Sequence, residues 1–591
     1  MHSRRAEEPA VRPLKVFAFD PSRGRNLDNF MTFQVPYEKL ETGPVGEYVA
    51  VIDYDASNDV YYQSVNLDSA EVLIRGGLDP SESDPRFHQQ MVYAVVSETI
   101  RRFEFALGRK VHWRRAVGKK GTPHRQQLRI FPHAFQEANA FYDPELRALL
   151  FGYFPAEAGD VGSNLPGQTI FTCLSHDIIV HETTHALIDG LRDQFTEPTN
   201  VDVSAFHEAF ADVIALFQHF SFKEALIDTI RRSRGLLYRS TLPPDVGPGS
   251  EGATIRAEVE QPNPLVDLAR QFGEAMGMRA ALRSALGKPP DPRALDKIEE
   301  PHERGSILVA AVFDAFFSVY QKRTRDLLRI SRSVGGEPED ELHPDLADRL
   351  AKAASSLAAQ FVTICVRALD YCPPVDLRYG EFLRALITAD FDLAQEDGVE
   401  CRNAFIEAFR ARGVVPQGVV SYSEEALRWM PPDTGLPPCT GLDFDLLGER
   451  PDDAQRRNAV VLHRYATKHA SALGLSRKFP IQAHSYHAIH RVSPRGIFVF
   501  DYVVEFLQKR EVPLDPKNPK GSTFQFRGGT TLLFDQYGRI RYTIRKRIEN
   551  KQRLDEEREF HRRESSMSAS APFVRRASAA GPNFAATHRG Y

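Results

Sequence analysis

The chain has 591 residues, of which 42% are hydrophobic, so it can bury large cores and is long enough for about two to four domains. Its 75 Lys and Arg nearly balance its 79 Asp and Glu, leaving a formal net charge of −4. This balance argues against a global basic field for binding nucleic acid or an anionic membrane.

The cysteines and the apolar segments favour a soluble protein of the cytoplasm. The five cysteines are few, odd in number and without CxxC spacing, which indicates reduced thiols rather than a disulfide scaffold. The first residues, MHSRRAEEPAVRPLKVF, contain no apolar signal region. The longest apolar run, which begins at Ser306, is interrupted by Asp314 and predicts a buried helix rather than a membrane span.

The first part of the chain, residues 14–166, is predicted to be a β-rich lobe with one long helix. The pattern of residues 47–68 predicts two strands joined by a turn. Asp84 and Pro85 then provide an N-cap and a first-turn proline for an amphipathic helix that ends before Gly108. Strand patterns return after this helix.

The rest of the chain divides into four predicted segments, which together with the first give an α+β protein. Helices dominate residues 167–415, and the Pro-, Gly- and Asp-rich residues 416–455 are typical of a linker. Residues 456–549 are predicted to be a separate β-rich module with a hairpin turn at Gly538. Residues 550–591 are predicted to be a charged helix followed by a disordered tail.

The segment LSHDIIVHETTHALIDGLRDQF contains an HExxH motif formed by His181, Glu182 and His185. On a helix, positions four residues apart lie one above the other, so the two imidazoles can bind one ion between them. Two core histidines that are hydrogen-bonded to their neighbours would give the same spacing. An HxxxH pattern alone therefore supports the metal site and the structural pair about equally. Glu182 favours the metal site, because a buried charge is unfavourable unless it faces water or an ion.

The next helical pattern, VDVSAFHEAFADVIALFQHF, places Glu208 and Asp212 one turn apart on one face. Two imidazoles and one carboxylate form a common ligand set of catalytic zinc, so Glu208 is the predicted third ligand. Histidine ligands usually donate their second ring N–H to a carboxylate, a role we assign to Asp212 toward His181. The alternative is that both acids lie on a solvated face.

A second group of closely spaced histidines, in AHSYHAIHRV, raises the alternative of another metal site. Its members His484, His487 and His490 are three residues apart, so they do not converge on one face of a strand or a helix. We expect a structural role for them.

These motifs resemble those of the thermolysin-like family of gluzincin metallopeptidases, over about residues 45–415. The family combines HExxH with ExxxD on the next helix, and Asp177 also fits its pattern. NAFYDPELRALLFGYF is similar to its edge strand, which implies that Asn139 and Ala140 bind the substrate backbone. PHERGSILVAAVFDAFFSVY is similar to the segment carrying the transition-state histidine, which implies that role for His302. The resemblance implies a two-lobed fold with a cleft between the lobes.

The chain departs from the family pattern in several places. Phe195 lies where the family has a transition-state tyrosine, and the acid that orients His302 is ambiguous among three residues, Asp296, Glu299 and Glu300. Arg239 is a weak match to the family's substrate-carbonyl arginine. The sequence supports no calcium site, and the segment after residue 415 has no family counterpart.

The motifs therefore predict a peptidase that binds one Zn²⁺ per chain, with Glu182 as general base, and the resemblance implies His302 as oxyanion donor. Its expected partner is a peptide or protein substrate, without nucleic acid or membrane. An aminopeptidase is less favoured because the chain has no GxMEN-like motif. A different class also fits: a catalytically weak or inactive zinc-stabilised scaffold that binds an unknown partner through the C-terminal module.

Overall fold

The structure is a computed structural model. It describes residues 9–21, 29–114, 127–156, 165, 167–232, 289–333, 342–394, 399–432, 435–443, 451–492, 498–570 and 584–588. The described part mixes helices with several sheets, which confirms the predicted α+β class. None of its helices is long and apolar enough to cross a membrane. All five cysteines are buried free thiols.

The N-terminal lobe contains two antiparallel pairs and one larger mixed sheet. In the larger sheet the strand order is β3-β6-β8-β7, and β9 pairs with the far end of β8, so β7 forms an edge. The strands are β1 (Val11–Phe17), β2 (Phe30–Pro36), β3 (Val49–Val51), β4 (Tyr54–Asp55), β5 (Val60–Tyr61), β6 (Leu128–Phe135), β7 (Ala140–Asp143), β8 (Ala148–Pro155) and β9 (Thr169–Phe171).

The predicted long helix of this lobe is confirmed. A short helix, α1 (Ala70–Arg75), precedes it, and the long helix itself is α2 (Pro85–Leu107). The Asp84 side chain accepts the Arg86 N–H at its start, and Gly108 ends it at a φ of 67°. Helix α2 is buried along most of its length and packs between the strands and the helical lobe.

The helical lobe surrounds the HExxH helix. Its helices are α3 (His176–Leu191), α4 (Val201–Phe220), α5 (Lys223–Arg232), α6 (Pro301–Ser333), α7 (Pro344–Ala368), α8 (Tyr379–Leu393) and α9 (Val399–Ala411). Helix α6 crosses α4 closely at Gly305, where a Cβ atom would lie 3.1 Å from the carbonyl oxygen of Ala205. Because Gly305 has no side chain, the first turn of α6, which carries His302, can lie next to α4.

The chain continues into a four-stranded antiparallel sheet of order β10-β11-β12-β13. The turn at Gly538, with a φ of 74°, connects β12 to β13 as the sequence predicts. The elements of this part are α10 (Glu424–Leu427), α11 (Pro451–Lys468), β10 (Gln482–Val492), β11 (Phe498–Pro513), β12 (Thr523–Asp535), β13 (Ile540–Lys546), α12 (Lys551–Ser570) and α13 (Phe584–Thr587).

This sheet has a hydrophobic core of its own, as a separate module would, and it also packs against the helical lobe. Ile489, Val503 and Leu533 belong to the same hydrophobic core as the two lobes. The connecting region is also anchored, because the buried Trp429 donates its indole N–H to the Tyr371 carbonyl at 2.9 Å. The segment around Trp429 is therefore held against the helical lobe, although the composition of residues 416–455 predicts a linker.

Asp376 ties the sheet to the helical lobe through buried charges. Its carboxylate lies 3.3 Å from Lys546 Nζ and 3.2 Å from Arg553 Nε, and it also accepts the Asn200 side-chain N–H at 2.6 Å. Burial opposes the charge on Asp376, but Lys546 and Arg553 lower the pKa of the carboxyl to about 2.

We expect Asp376→Asn to lower the free energy of unfolding by about 3 kcal/mol, because Arg553 loses its buried counterion and Lys546 is left with Glu381. Asn tolerates the φ of 55° at this position, so backbone strain adds little. The pKa of Asp376 lies below its ordinary 3.8, so its stabilisation is complete above about pH 4 and disappears as the pH falls toward 2. Urea titrations at several pH values measure the difference.

The control is Asp326→Asn, which changes a carboxylate that is 75% exposed and is expected to shift stability by less than about 0.5 kcal/mol. Equal stability of the Asp376→Asn and Asp326→Asn variants at neutral pH would contradict the proposed role of Asp376 in holding the sheet.

Candidate metal centre

Two neighbouring helices carry the predicted zinc ligands. His181 and His185 lie on α3, and Glu208 lies on α4, whose first turn is capped by the Asn200 side chain. The nitrogens His181 Nε2 and His185 Nε2 are 2.9 Å apart, and each is 3.5 Å from Glu208 Oε2. All three side chains are at most 4% exposed. The structure thus brings the three residues together as predicted.

The spacing of these atoms fits a zinc ion. A tetrahedral zinc with bonds of about 2.0–2.2 Å separates its ligand atoms by about 3.3–3.6 Å. The two distances of 3.5 Å match the edges of such a tetrahedron, and the 2.9 Å between the two nitrogens is shorter than an edge. Two imidazole nitrogens and one carboxylate oxygen are also the donor types that zinc prefers.

The charges of the site favour a cation. Burial opposes ionisation of Glu208, but His185 and His588 hold its pKa well below the ordinary value, so the carboxylate is charged. Burial lowers the pKa of His185 well below its ordinary value, which leaves a neutral imidazole. For His181, burial acts in the same direction, but Asp212 and Glu208 raise its pKa to about 9. A metal ion at this position must therefore displace a proton from His181.

Each histidine ligand has a partner at its second ring nitrogen. His181 Nδ1 lies 2.9 Å from Asp212 Oδ1, in the arrangement expected for Asp212. His185 Nδ1 lies 2.6 Å from His207 Nδ1, a partner that the sequence analysis did not identify. Burial lowers the pKa of His207 to about 4, so its neutral ring can accept the His185 N–H. His207 directly precedes Glu208 in the sequence, but the spacing alone does not show that it faces α3.

Glu182 lies between the metal ligands and the edge strand β7. Its side chain is fully buried, and its Oε2 accepts the backbone N–H of Tyr142 at 2.9 Å. Its Oε1 has no hydrogen-bond partner and lies 3.3 Å from His588 Nδ1. One oxygen of the carboxylate is thus fixed, and the other is directed toward the site.

His302 lies in the first turn of α6 at the edge of the same site. Its Nδ1 is 3.9 Å from Glu208 Oε2, and its side chain is 20% exposed. Arg304, two residues along, donates to Asp202 at 2.7 Å and so fixes α6 against α4. Phe195 does not face the site; it packs against Phe206 with ring centroids 5.8 Å apart.

Two of the three candidate orienting acids have other described contacts. Glu299 pairs with Arg563 at 3.1 Å, and Glu300 accepts the Glu303 N–H at 2.6 Å at the start of α6. Asp296 lies in a short 3₁₀ helix before them. The identity of the acid that orients His302 therefore stays open among the three.

The remaining predicted site residues differ in their placement. Asn139 and Ala140 lie at the start of the edge strand β7, beside Glu182. Asp177 contacts His219 at 2.8 Å and His176 at 3.0 Å, so its described partners are not the metal ligands. Arg239 lies outside the described residues.

Residues near the end of the sequence also reach this site, although a disordered tail was expected there. Helix α13 forms a single turn, and His588 follows it directly. His588 Nε2 lies 3.2 Å from Glu208 Oε2, and the four residues His181, His185, Glu208 and His588 offer donor atoms within 4.8 Å of one another. Burial opposes charge on His588, but Glu182 and Glu208 raise its pKa well above the ordinary value.

The histidines of the sheet do not form a second site. His484 contacts Asp193 at 2.7 Å, His487 contacts Asp370 at 3.2 Å, and His490 contacts the Gly108 carbonyl at 3.0 Å. Each ring thus holds a different part of the helical lobe or α2, which is the structural role expected for them.

Comparison with known proteins adds no assignment. No protein-family model matches the chain, and no curated protein gives a significant match.

Proposed function

We propose that the chain is a zinc-dependent peptidase with a thermolysin-like, two-lobed fold and a cleft between β7 and helices α3 and α4. One observation carries this proposal. Two imidazole nitrogens and a carboxylate oxygen lie 2.9–3.5 Å from one another, and Oε1 of Glu182, which accepts no hydrogen bond, lies 3.3 Å from His588 at the same site. Zinc bound there would act as a Lewis acid that polarises the scissile carbonyl and acidifies the attacking water.

The protein's own residues supply the other parts of the reaction. Glu182 takes a proton from the attacking water at Oε1, because its Oε2 is already held by the Tyr142 N–H. It then passes the proton to the leaving amine. His302, at the edge of the site, stabilises the oxyanion of the tetrahedral species.

The edge strand supplies the binding surface for the substrate. Among the described strands β7 pairs with β8 alone, so an extended peptide can add to its other side. The Asn139 side chain and the Ala140 backbone then hold the peptide main chain. This mode of binding recognises the peptide main chain rather than particular side chains. We therefore propose a peptide or unfolded protein segment as substrate.

A zinc-stabilised scaffold is the second candidate function. It is favoured by the fourth donor, since a zinc site closed by four protein side chains is typical of structural zinc. Phe195, packed into the core where a tyrosine donor is expected, also favours weak catalysis.

Peptide digestion with metal removal tests the proposal. The full chain and its His588→Ala variant are incubated with a broad peptide library before chelation, after chelation, and after zinc is restored. We expect the chelator to abolish cleavage and one equivalent of zinc per chain to restore it. Cleavage that is insensitive to the chelator contradicts the proposal. Absence of cleavage in both zinc-loaded forms favours the scaffold.

A further inference from the structure

The turn formed by residues 584–588 lies inside the proposed substrate cleft. Phe584 is 2% exposed, and its ring packs against His185, His207 and Tyr142 with centroid distances of 4.5, 5.1 and 6.1 Å. The 584–588 turn is thus anchored by an aromatic side chain directly on the imidazole of a predicted metal ligand.

The imidazole of His588 is oriented as a metal ligand. Its Nδ1 lies 3.2 Å from the Ala140 carbonyl oxygen, which can only accept a hydrogen bond, so Nδ1 carries the proton. A metal ion that displaces the proton on Nε2 then finds the lone pair on this atom, which lies 3.2 Å from Glu208 Oε2. Histidine ligands are commonly fixed in this way, with one nitrogen donating to a carbonyl and the other facing the metal.

The 584–588 turn uses the contacts that we propose for substrate. The Asn139 side chain donates to the Ala585 carbonyl at 3.2 Å, and the Ala140 carbonyl accepts from His588. His588 also lies 3.3 Å from Glu182 Oε1, the oxygen that the proposed mechanism needs for the water. A peptide substrate and this turn therefore compete for the same groups.

The conformation of the turn argues that it is a ligand rather than a substrate. Its backbone is helical, and the Phe584 carbonyl is hydrogen-bonded to the His588 N–H at 3.0 Å. A substrate bound along β7 would instead be extended and would present a carbonyl to the metal. Here an imidazole occupies that place.

We propose that His588 is the fourth ligand of the zinc ion and that the 584–588 turn occupies the substrate cleft of its own chain. A catalytic zinc keeps one coordination position open, and His588 closes it, so the zinc-loaded chain is held in a latent state until the turn leaves. This inference rests on the proposed zinc site. Its role as an inhibitor rests also on the proposed peptidase activity.

Two full-length variants test this ligand assignment. His588→Ala removes the fourth donor, and Phe584→Ala removes only the anchor of the turn. The matched control is His561→Ala, which changes a histidine on α12 that contacts Glu557 and Phe524. Each protein is loaded with one equivalent of zinc, and X-ray absorption at the zinc edge gives the number of imidazole ligands.

We expect three imidazoles in the wild type and in His561→Ala, and two imidazoles with an added water in His588→Ala. In Phe584→Ala we expect a mixture of both states. Peptide cleavage by His588→Ala should exceed that of the wild type by at least about tenfold, because the apparent activity scales with the fraction of chains whose cleft is open.

The two proposals fail in different ways. Two imidazoles in the wild type overturn the ligand assignment, whatever the cleavage rates are. If removal of His588 lowers the number of imidazoles from three to two, the ligand assignment is supported. If neither protein then cleaves peptides, the proposed peptidase activity is contradicted. Equal cleavage by the wild type and by His588→Ala, with three imidazoles in the wild type, overturns the inhibitory role.

Discussion

Replacing Glu182 by Gln is expected to leave zinc bound and to lower peptide cleavage by at least about 100-fold, the usual scale for losing a general base. The Gln side chain keeps the shape of Glu182, and its carbonyl oxygen can still accept the Tyr142 N–H. Its amide cannot take the proton of the attacking water. Glu182 is not one of the metal donors, so zinc content should stay at one equivalent per chain.

The measurement is made in both the wild-type and the His588→Ala background, so that the 584–588 turn does not hide the effect. Glu407→Gln is the matched control, because this carboxylate is 63% exposed on α9. The control should cleave at the parent rate. If the Glu182→Gln variant also cleaves at the parent rate in the His588→Ala background, Glu182 is not the general base.

The second large effect is expected at Glu208. Glu208→Gln removes the negative charge of the ligand set, and we expect zinc affinity to fall by more than about 100-fold, beyond the range seen for partners of the ligands. Competition with a zinc chelator of known affinity measures this change. We expect the Glu208→Gln variant to remain folded, and circular dichroism checks this.

Asp212→Ala provides the graded comparison. Asp212 contacts His181 Nδ1 and not the proposed metal position, so its loss should weaken zinc binding by about 10 to 100-fold. Zinc affinity unchanged in Glu208→Gln would remove Glu208 from the ligand set. Affinity unchanged in Asp212→Ala would mean that Asp212 does not orient His181.

Features fixed by local spacing could be predicted from the sequence. The i, i+4 relation places His181 and His185 on one face of any helix, and Asp84, Pro85 and Gly108 mark the ends of α2 through backbone chemistry. The α+β class and the turn at Gly538 follow from similar local patterns.

Features that depend on how elements pack could not be predicted in this way. His207 faces His185 only because of the relative rotation of α3 and α4, which no periodicity within one helix reveals. The contact between His588 and Glu208 joins residues 380 positions apart, and the composition of the surrounding tail suggests disorder. A single histidine in such a tail carries no local signal of metal binding.

The same reason explains why the contact between the C-terminal sheet and the helical lobe could not be predicted. Its strands follow a two-residue period, but a period does not show which face another lobe covers. The buried Arg192–Glu505 and Lys546–Asp376 pairs, which hold the sheet against the helical lobe, join residues that are far apart in the sequence. Likewise, the Pro- and Gly-rich composition of residues 416–455 predicts a linker but does not show that Trp429 packs against the helical lobe.

The central claim is the position of the metal, and zinc anomalous diffraction from crystals of the zinc-loaded full chain tests it most directly. We predict one strong peak per chain, about 2.0–2.2 Å from His181 Nε2, His185 Nε2 and a Glu208 oxygen. A peak instead at the buried cluster of His88, His133 and Cys173, or no peak at the HExxH helix, would contradict the claim.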